Sequence, residues 1–342
     1  MEHRQKYFIQ QYLQENYNHG GVGPVHAERI LLENGYKPLF FPKHHSISFA
    51  SKLSRLAYLL QVYFSIKKGA EIVFLFPVYA RMNNMLIRWL AKKKGIRCVC
   101  YIADIDGIKD AEEDLLREEK NFLRMFSHFI VHNAKMDNWV RENILREAQI
   151  AKIEFFDFIV KARPRNSNLS REIVFAGNLG KSGFLKNLPL VITAQPDLSF
   201  HLYGPGMFEM DETYQQIVYH GQFSPDDLPR KLEGSFGLVW DGESVERPSG
   251  ILGHYLQFIT HHKLSLYILA GLPIIIPSSA GSAQLVQHYG IGIVVDSLFD
   301  ISAKIGCISD EQYLSMKKNM QPLAEKISNG KCLLNALDTF SK

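Results

Sequence analysis

Apolar positions in the first half of the chain come in two textures, short unbroken runs and longer stretches where they recur every three or four residues. Residues 71–76 and 96–102 are runs of the first kind; 82–94 and 111–126 are stretches of the second. Short buried runs alternating with amphipathic helices are the pattern of βαβ units on a parallel sheet. The same reading predicts strands over 5–12, 129–132 and 152–156, and helices over 25–34, closed by Gly35, and 135–146. Between the first strand and first helix lies the glycine-rich segment Gly20-Gly21-Val22-Gly23-Pro24, predicted as a loop.

Periodicity lapses over 161–168, a polar, Pro-containing stretch that reads as a domain boundary. The grammar then restarts. Strands are predicted over 172–176, 199–203, 237–240, 273–276 and 291–295, with helices over 262–270, capped by Gly271, and 283–289. The expected architecture is α/β, two Rossmann-like, doubly wound domains in tandem. Ligands of such sheets bind beyond the carboxyl ends of the strands, so two of them place ligands face to face across a cleft.

Composition agrees. The chain has 342 residues, 46% of them apolar, enough for two domains of about 150 residues each. Lys plus Arg number 39 against 35 Asp plus Glu, too weak an excess to imply nucleic acid. No apolar run reaches the length of a membrane span, and the start, Met1-Glu2-His3-Arg4, lacks a signal-peptide core. A cytoplasmic protein is expected. Four cysteines (Cys98, Cys100, Cys307, Cys332) make neither a disulfide framework nor a zinc signature and are read as buried free thiols. Residues 51–68 are apolar, aromatic and basic with no acidic residue; core packing and peripheral contact with anionic lipid are both open for them.

The candidate chemistry sits at predicted strand ends. Gly21 and Gly23 occupy the place of a phosphate loop but lack the G-x-G-x-x-G spacing, so they are read as a turn or as a close backbone approach to substrate. Asp104-Ile105-Asp106-Gly107 follows a strand directly. Its carboxylates suit a metal and nucleotide-sugar site, a general base for an acceptor hydroxyl, or turn capping. Asp104 stands nearer the strand and Asp106 falls in a turn; His26 and Glu28 are the next candidates for a base. In the second half Asn178 and Lys181, Tyr203, Asp241 and Ser249, and His262-Lys263 follow successive strands or open a helix. A lysine and a helix N-terminus facing one crevice neutralise a diphosphate without a metal.

The run Phe236-Gly237-Leu238-Val239-Trp240-Asp241-Gly242-Glu243, with Ser249-Gly250, Tyr255-Leu256 and His262-Lys263-Leu264-Ser265, resembles bacterial β-1,6-galactofuranosyltransferases of O-antigen and capsule assembly. Their wider relatives are streptococcal glucosyltransferases that decorate adhesin glycoproteins. Ile173 to Leu179 is a second anchor, and Asp104-Ile105-Asp106 aligns in the first half. Two departures stand out. Ala103 replaces a His, and Ile259-Thr260-His261-His262-Lys263 replaces an Asn-Asn-Pro-His-Lys run.

The resemblance implies a GT-B fold with an acceptor domain (1–160), a UDP-sugar donor domain (161–320) and a C-terminal helical segment (321–342) returning to the first. It implies that Lys181, Tyr203 and Lys263 meet the uridine diphosphate, with Asp104 or Asp106 as base, and no metal or other cofactor. The expected reaction is inverting transfer of galactofuranose from UDP-galactofuranose to a sugar hydroxyl of a polysaccharide or lipid-linked intermediate; peripheral contact with the membrane and homo-oligomerisation are left open. Glucosyl transfer to a glycoprotein and a non-catalytic partner subunit are the rival readings.

Overall fold

The computed structural model describes residues 5–13, 21–40, 49–161, 168–206 and 214–341, apart from the side chains of 49–52. In the first half β1 (Lys6–Ile9), α1 (Val22–Glu33), β2 (Lys37–Leu39), α2 (Phe49–Ser65), β3 (Glu71–Phe76), α3 (Arg81–Ala91) and β4 (Arg97–Ile102) alternate strictly. They continue into the short α4 (Asp106–Lys109), α5 (Glu113–Leu123), β5 (His128–Val131), α6 (Ala134–Asn143) and β6 (Gln149–Lys152). The six strands form one parallel sheet in the order β2-β1-β3-β4-β5-β6. All six side chains of β3 are buried, as a central parallel strand covered by helices on both faces requires.

The second half repeats the plan. It runs through β7 (Glu172–Ala176), α7 (Leu188–Ala194), β8 (Ser199–Tyr203), β9 (Ile217–Tyr219), α8 (Leu228–Lys231), β10 (Phe236–Leu238) and α9 (Gly250–Tyr255). Then follow α10 (His262–Ala270), β11 (Ile274–Pro277), α11 (Ala283–Tyr289), β12 (Gly292–Val295), α12 (Ile301–Gly306), α13 (Asp310–Ser328) and α14 (Lys331–Asp338). The sheet order is β12-β11-β10-β7-β8-β9, again all parallel. The order in which strands are added reverses between β1 and β3 in one sheet and between β7 and β10 in the other. Such switch points open crevices at the strands' carboxyl ends. Two Rossmann-like domains facing a cleft are the GT-B arrangement.

An apolar cluster continues from one sheet to the other, joining Val73 and Val99 through Phe155, Phe156 and Phe158 to Leu264, Tyr267 and Ile276. The chain end crosses back: α14 packs on β6 and α1, and Asp157 accepts from the Cys332 and Leu333 N–H groups at its N-terminus (3.0 and 2.7 Å). Arg97 donates to the Phe340 carbonyl. No helix among the described residues is long and apolar enough to cross a membrane.

Several local expectations are corrected. The expected strand 152–156 lies earlier, at Gln149–Lys152, because Glu154 takes a left-handed φ of 64° and ends the ladder. The apolar residues after it pack between the domains instead. The predicted glycine loop is shorter: Gly23 and Pro24 belong to the first turn of α1, where proline's missing N–H costs nothing. Gly20, and most of the polar stretch 161–168, lie outside the described residues, as does Met1 to Arg4. The helix expected over 111–126 is shorter, at Glu113–Leu123; Ala111, whose φ is 56°, separates it from α4, which Asp106 opens. Cys98, Cys100 and Cys332 are buried as expected, whereas Cys307 is exposed just beyond α12.

Candidate functional site

A cavity of about 300 Å³ opens at the β7/β10 switch point. Its floor is formed by Ala176 to Asn178 at the end of β7 and by Tyr203 to Pro205 at the end of β8; Val22 and Phe158 close it from the first domain, and His261, His262 and Lys263 at the start of α10 form a wall. The two floor loops touch: a Cβ on Gly204, whose φ is +130°, would lie 1.9 Å from the Gly177 carbonyl oxygen. Glycine is the residue that allows this nesting.

Lys263 carries the positive charge of the wall. Its Nζ lies 3.0 Å from Asp241 Oδ1 and 3.4 Å from the Trp240 carbonyl, and 4.5 Å from the centre of the Phe175 ring. The other oxygen of Asp241 meets His261 Nε2 at 2.5 Å. Burial alone would raise the Asp241 pKa, but Lys263 and then His261 outweigh it and hold the carboxyl well below the usual carboxylate range. Asp241 is thus the anion that orients both side chains at the N-terminus of α10, where the helix dipole favours an anionic ligand.

His262 behaves differently. Its ring stacks on Phe156 at 4.4 Å, and burial, with His26, His132 and His261 adding to it, lowers its pKa to about 3. It is a neutral ring, so the cationic character of the wall belongs to Lys263. His262 Nε2 and His261 Nδ1 are buried without a hydrogen-bond partner among the described residues. Buried polar groups are hydrogen-bonded as a rule, and two neighbouring exceptions mark this wall as made for more than packing.

The carboxylates after β4 lie apart from this cavity. Asp104 Oδ1 accepts from the Tyr255 hydroxyl (2.8 Å) and Oδ2 from Lys109 Nζ (2.8 Å). Asp106 Oδ2 accepts from Tyr79 (2.9 Å), and Lys109 reaches its other oxygen at 4.0 Å. An ammonium therefore already lies between the two carboxylates, where a D-x-D metal ion would need to be. Burial raises the Asp106 pKa, against the pull of Tyr79 and Lys109. Beneath them the buried Glu119 accepts from the Asp106 and Gly107 N–H groups (3.0 and 2.9 Å), and burial raises its pKa to about 7. Asp106 is consequently pinned, which corrects its expected place in a loose turn.

Of the remaining sequence candidates, Asn178 lines the cavity and its Oδ1 accepts from the Lys181 N–H (3.2 Å). Lys181 is exposed on a single 3-10 turn outside the lining. Tyr203 is fully buried behind the floor, stacked 4.6 Å from His220, its hydroxyl accepting from the Glu233 N–H (2.9 Å). Ser249 precedes α9, its backbone against Gly242, away from the cavity. Gly21 caps α1, and Gly23 lies against the His262 ring. Glu28 is corrected as a base: its carboxylate accepts the Gln11, Tyr12 and Leu13 N–H groups (2.6, 2.9 and 3.0 Å) and holds the loop after β1. His26 is buried, its Nδ1 accepting from the Ile159 N–H (3.2 Å) and its pKa lowered by burial to about 4.

Sequence reasoning missed His261 and Tyr255. His261 stands beside a residue already singled out, and only the Asp241 contact separates its role from its neighbour's. Tyr255 ends a helix in the other domain, 151 positions from Asp104, and no spacing rule links them.

Comparison with known proteins agrees with the fold. The signature of the Glucosyltransferase 3-like N-terminal domain matches residues 6–155, and that of the C-terminal domain residues 173–340. The β-1,6-galactofuranosyltransferase WbbI of Escherichia coli K12 is 28% identical over 272 residues, 78% of each chain. Glucosyltransferase 3 of Streptococcus parasanguinis is 24% identical over 75% of this chain and 74% of its own. The crystal structure of Anabaena Alr3699/HepE in complex with UDP and glucose superposes with a TM-score of 0.62 at 14% identity, covering 99% of this chain and all of that one.

Proposed function

The chain belongs to the glucosyltransferase 3-like family, and on that premise we propose that it transfers galactofuranose from UDP-galactofuranose to a sugar hydroxyl of a polysaccharide or lipid-linked oligosaccharide intermediate, with inversion and without a metal. One observation carries the reading: the Lys263 ammonium, aimed by Asp241, at the N-terminus of α10 beside the cavity of the switch point. An ammonium has three donors, of which Asp241 and the Trp240 carbonyl use two, so one is left for a phosphate oxygen. The donor's diphosphate would lie against Lys263 and the first turn of α10, with the nucleoside over the floor from Gly177 to Pro205.

Inversion needs a base on the face opposite the leaving group. We assign it to Asp104, which Tyr255 and Lys109 hold in orientation from the two domains. The acceptor hydroxyl passes its proton to the Asp104 carboxylate and its oxygen bonds to the anomeric carbon. The bond from that carbon to the diphosphate oxygen breaks, and the electron pair leaves on UDP, stabilised by Lys263 and the helix dipole. Because Asp104 stands outside the cavity lining, the anomeric carbon and the attacking hydroxyl must meet beside its carboxylate, at the edge of the cavity that faces the first domain. A UDP-glucose donor is the second reading, favoured by the likeness to glucosyltransferase 3.

A donor screen tests both: thermal shift with UDP, UDP-glucose, UDP-galactose and UDP-galactofuranose, followed by product analysis with the best ligand. UDP-galactofuranose is expected to give the largest stabilisation; a larger shift and turnover with UDP-glucose moves the assignment to that sugar, and no shift with any of them overturns the site.

A further inference from the structure

Helix α2 has two apolar faces. Leu59 and Val62, with Ile66 just beyond the helix end, are buried against the first sheet. On the other side Leu53, Leu56, Leu60 and Phe64 are 58%, 41%, 39% and 73% exposed. Their spacing of three, four and four residues puts them on one stripe, roughly 16 Å long at 1.5 Å per residue. Single exposed apolar residues are ordinary, but four in line along one helix are a surface feature.

Charge surrounds one end of the stripe. Lys67 and Lys68 follow the helix and are exposed, as are Lys92 and Lys94 at the end of α3. The two turns are joined by the Gly69 N–H to Gly95 carbonyl bond at 2.7 Å, so the four ammonium groups share one corner. Lys93 instead turns inward, donating to the Tyr63 and Ile66 carbonyls (2.6 and 2.7 Å) and fixing the end of α2. From Asn34 to Ala70 the sequence holds six Lys and Arg and no acidic residue.

We propose that α2 docks on an anionic phospholipid surface, the stripe from Leu53 to Phe64 entering the boundary between headgroups and acyl chains and Lys67, Lys68, Lys92 and Lys94 meeting the headgroup phosphates. The charge pattern selects this occupant. A protein groove of mixed charge has no use for a basic rim devoid of acids, whereas anionic headgroups attract each added lysine. The site lies outside the donor cavity and stands whatever the donor sugar is.

Sedimentation of the full chain with phosphatidylcholine vesicles, with and without phosphatidylglycerol, tests it. Binding is expected to the anionic vesicles, to weaken with salt, and to fall about tenfold or more in both Leu60→Gln/Phe64→Gln and Lys67→Glu/Lys68→Glu. Both variants should keep the wild-type thermal shift with UDP, which shows them folded and leaves the donor site a separate question. No binding to anionic vesicles, equal binding to neutral ones, or binding untouched by either variant overturns the proposal. So does a wild-type dimer, by light scattering, that Leu60→Gln/Phe64→Gln dissociates, for the stripe would then belong to a second copy.

Discussion

The Tyr255 hydroxyl of the second domain donates to Asp104 Oδ1 of the first at 2.8 Å while it accepts the Ile105 N–H at 2.9 Å. One phenol thus orients the proposed base and fixes the loop that carries it. Tyr255→Phe is expected to lower kcat by about tenfold, the cost of one such bond, at roughly 1.4 kcal/mol per tenfold. Asp104→Asn should lower it about 10²–10⁴-fold. Calorimetric UDP affinity should be unchanged in both. If Asp104→Asn turns over normally and Asp106→Asn does not, the base is Asp106.

At Lys263 the expected loss is in binding. Removing a charged hydrogen-bond donor from a half-buried diphosphate site costs about 1.5–3 kcal/mol, so Lys263→Ala should weaken UDP by roughly 10- to 150-fold. It also takes from Asp241 the Lys263 ammonium and leaves it the His261 contact, so a lower Tm without UDP is expected beside the loss of affinity. Wild-type affinity in titration calorimetry would remove Lys263 from the site.

Chelation should leave turnover intact. Lys109 bridges Asp104 and Asp106 at 2.8 and 4.0 Å, and in the proposed donor pose Lys263 takes the place of a cation at the diphosphate. Activity lost in EDTA and regained with manganese or magnesium would show that the ammonium yields its place to a metal.

The interface between the domains should be acid-sensitive. Burial lowers the pKa values of His26 and His132 to about 4 and of His262 to about 3, from an ordinary 6.5. Below 6.5 the unfolded chain takes up protons that the folded chain refuses, so the stability these rings contribute is present near neutrality and is lost as pH falls toward 4. Tm is expected to drop between pH 7 and 5, and less steeply in His262→Gln. Burial raises Glu119 to about 7 and Asp157 to about 6, which acts in the opposite sense, so the test is the difference between the two proteins: the same slope in wild type and His262→Gln would contradict a buried, neutral His262.

Gly23 and His262 meet so closely that a Cβ at 23 would lie 1.9 Å from the imidazole Nε2. Gly23→Ala must push the ring off Phe156 or part the domains, and overpacking of this kind costs about 1–3 kcal/mol. A Tm lowered by a few degrees with weakened UDP binding is expected; wild-type values for both would show that the contact gives way freely.

The alternation of buried runs and amphipathic helices determined the α/β class, the two-domain plan and the strands at Glu71–Phe76, Glu172–Ala176 and Ser199–Tyr203, because those properties rest on local periodicity. The helix His262–Ala270 was equally legible, since Gly271 in the left-handed region closes it. Local signals could not tell Ile153-Glu154-Phe155-Phe156 from a strand, for Phe155 and Phe156 are buried between domains rather than in a ladder. Nor could they find that Glu28 serves three backbone N–H groups, that Asp241 joins His261 to Lys263, or that Tyr255 crosses to Asp104. Each of those pairings depends on the order of strands and on how one sheet faces the other. A hydrogen bond is made by whatever atoms the packed chain brings within 3 Å, however many residues lie between them, and that distance is decided only when both sheets are in place.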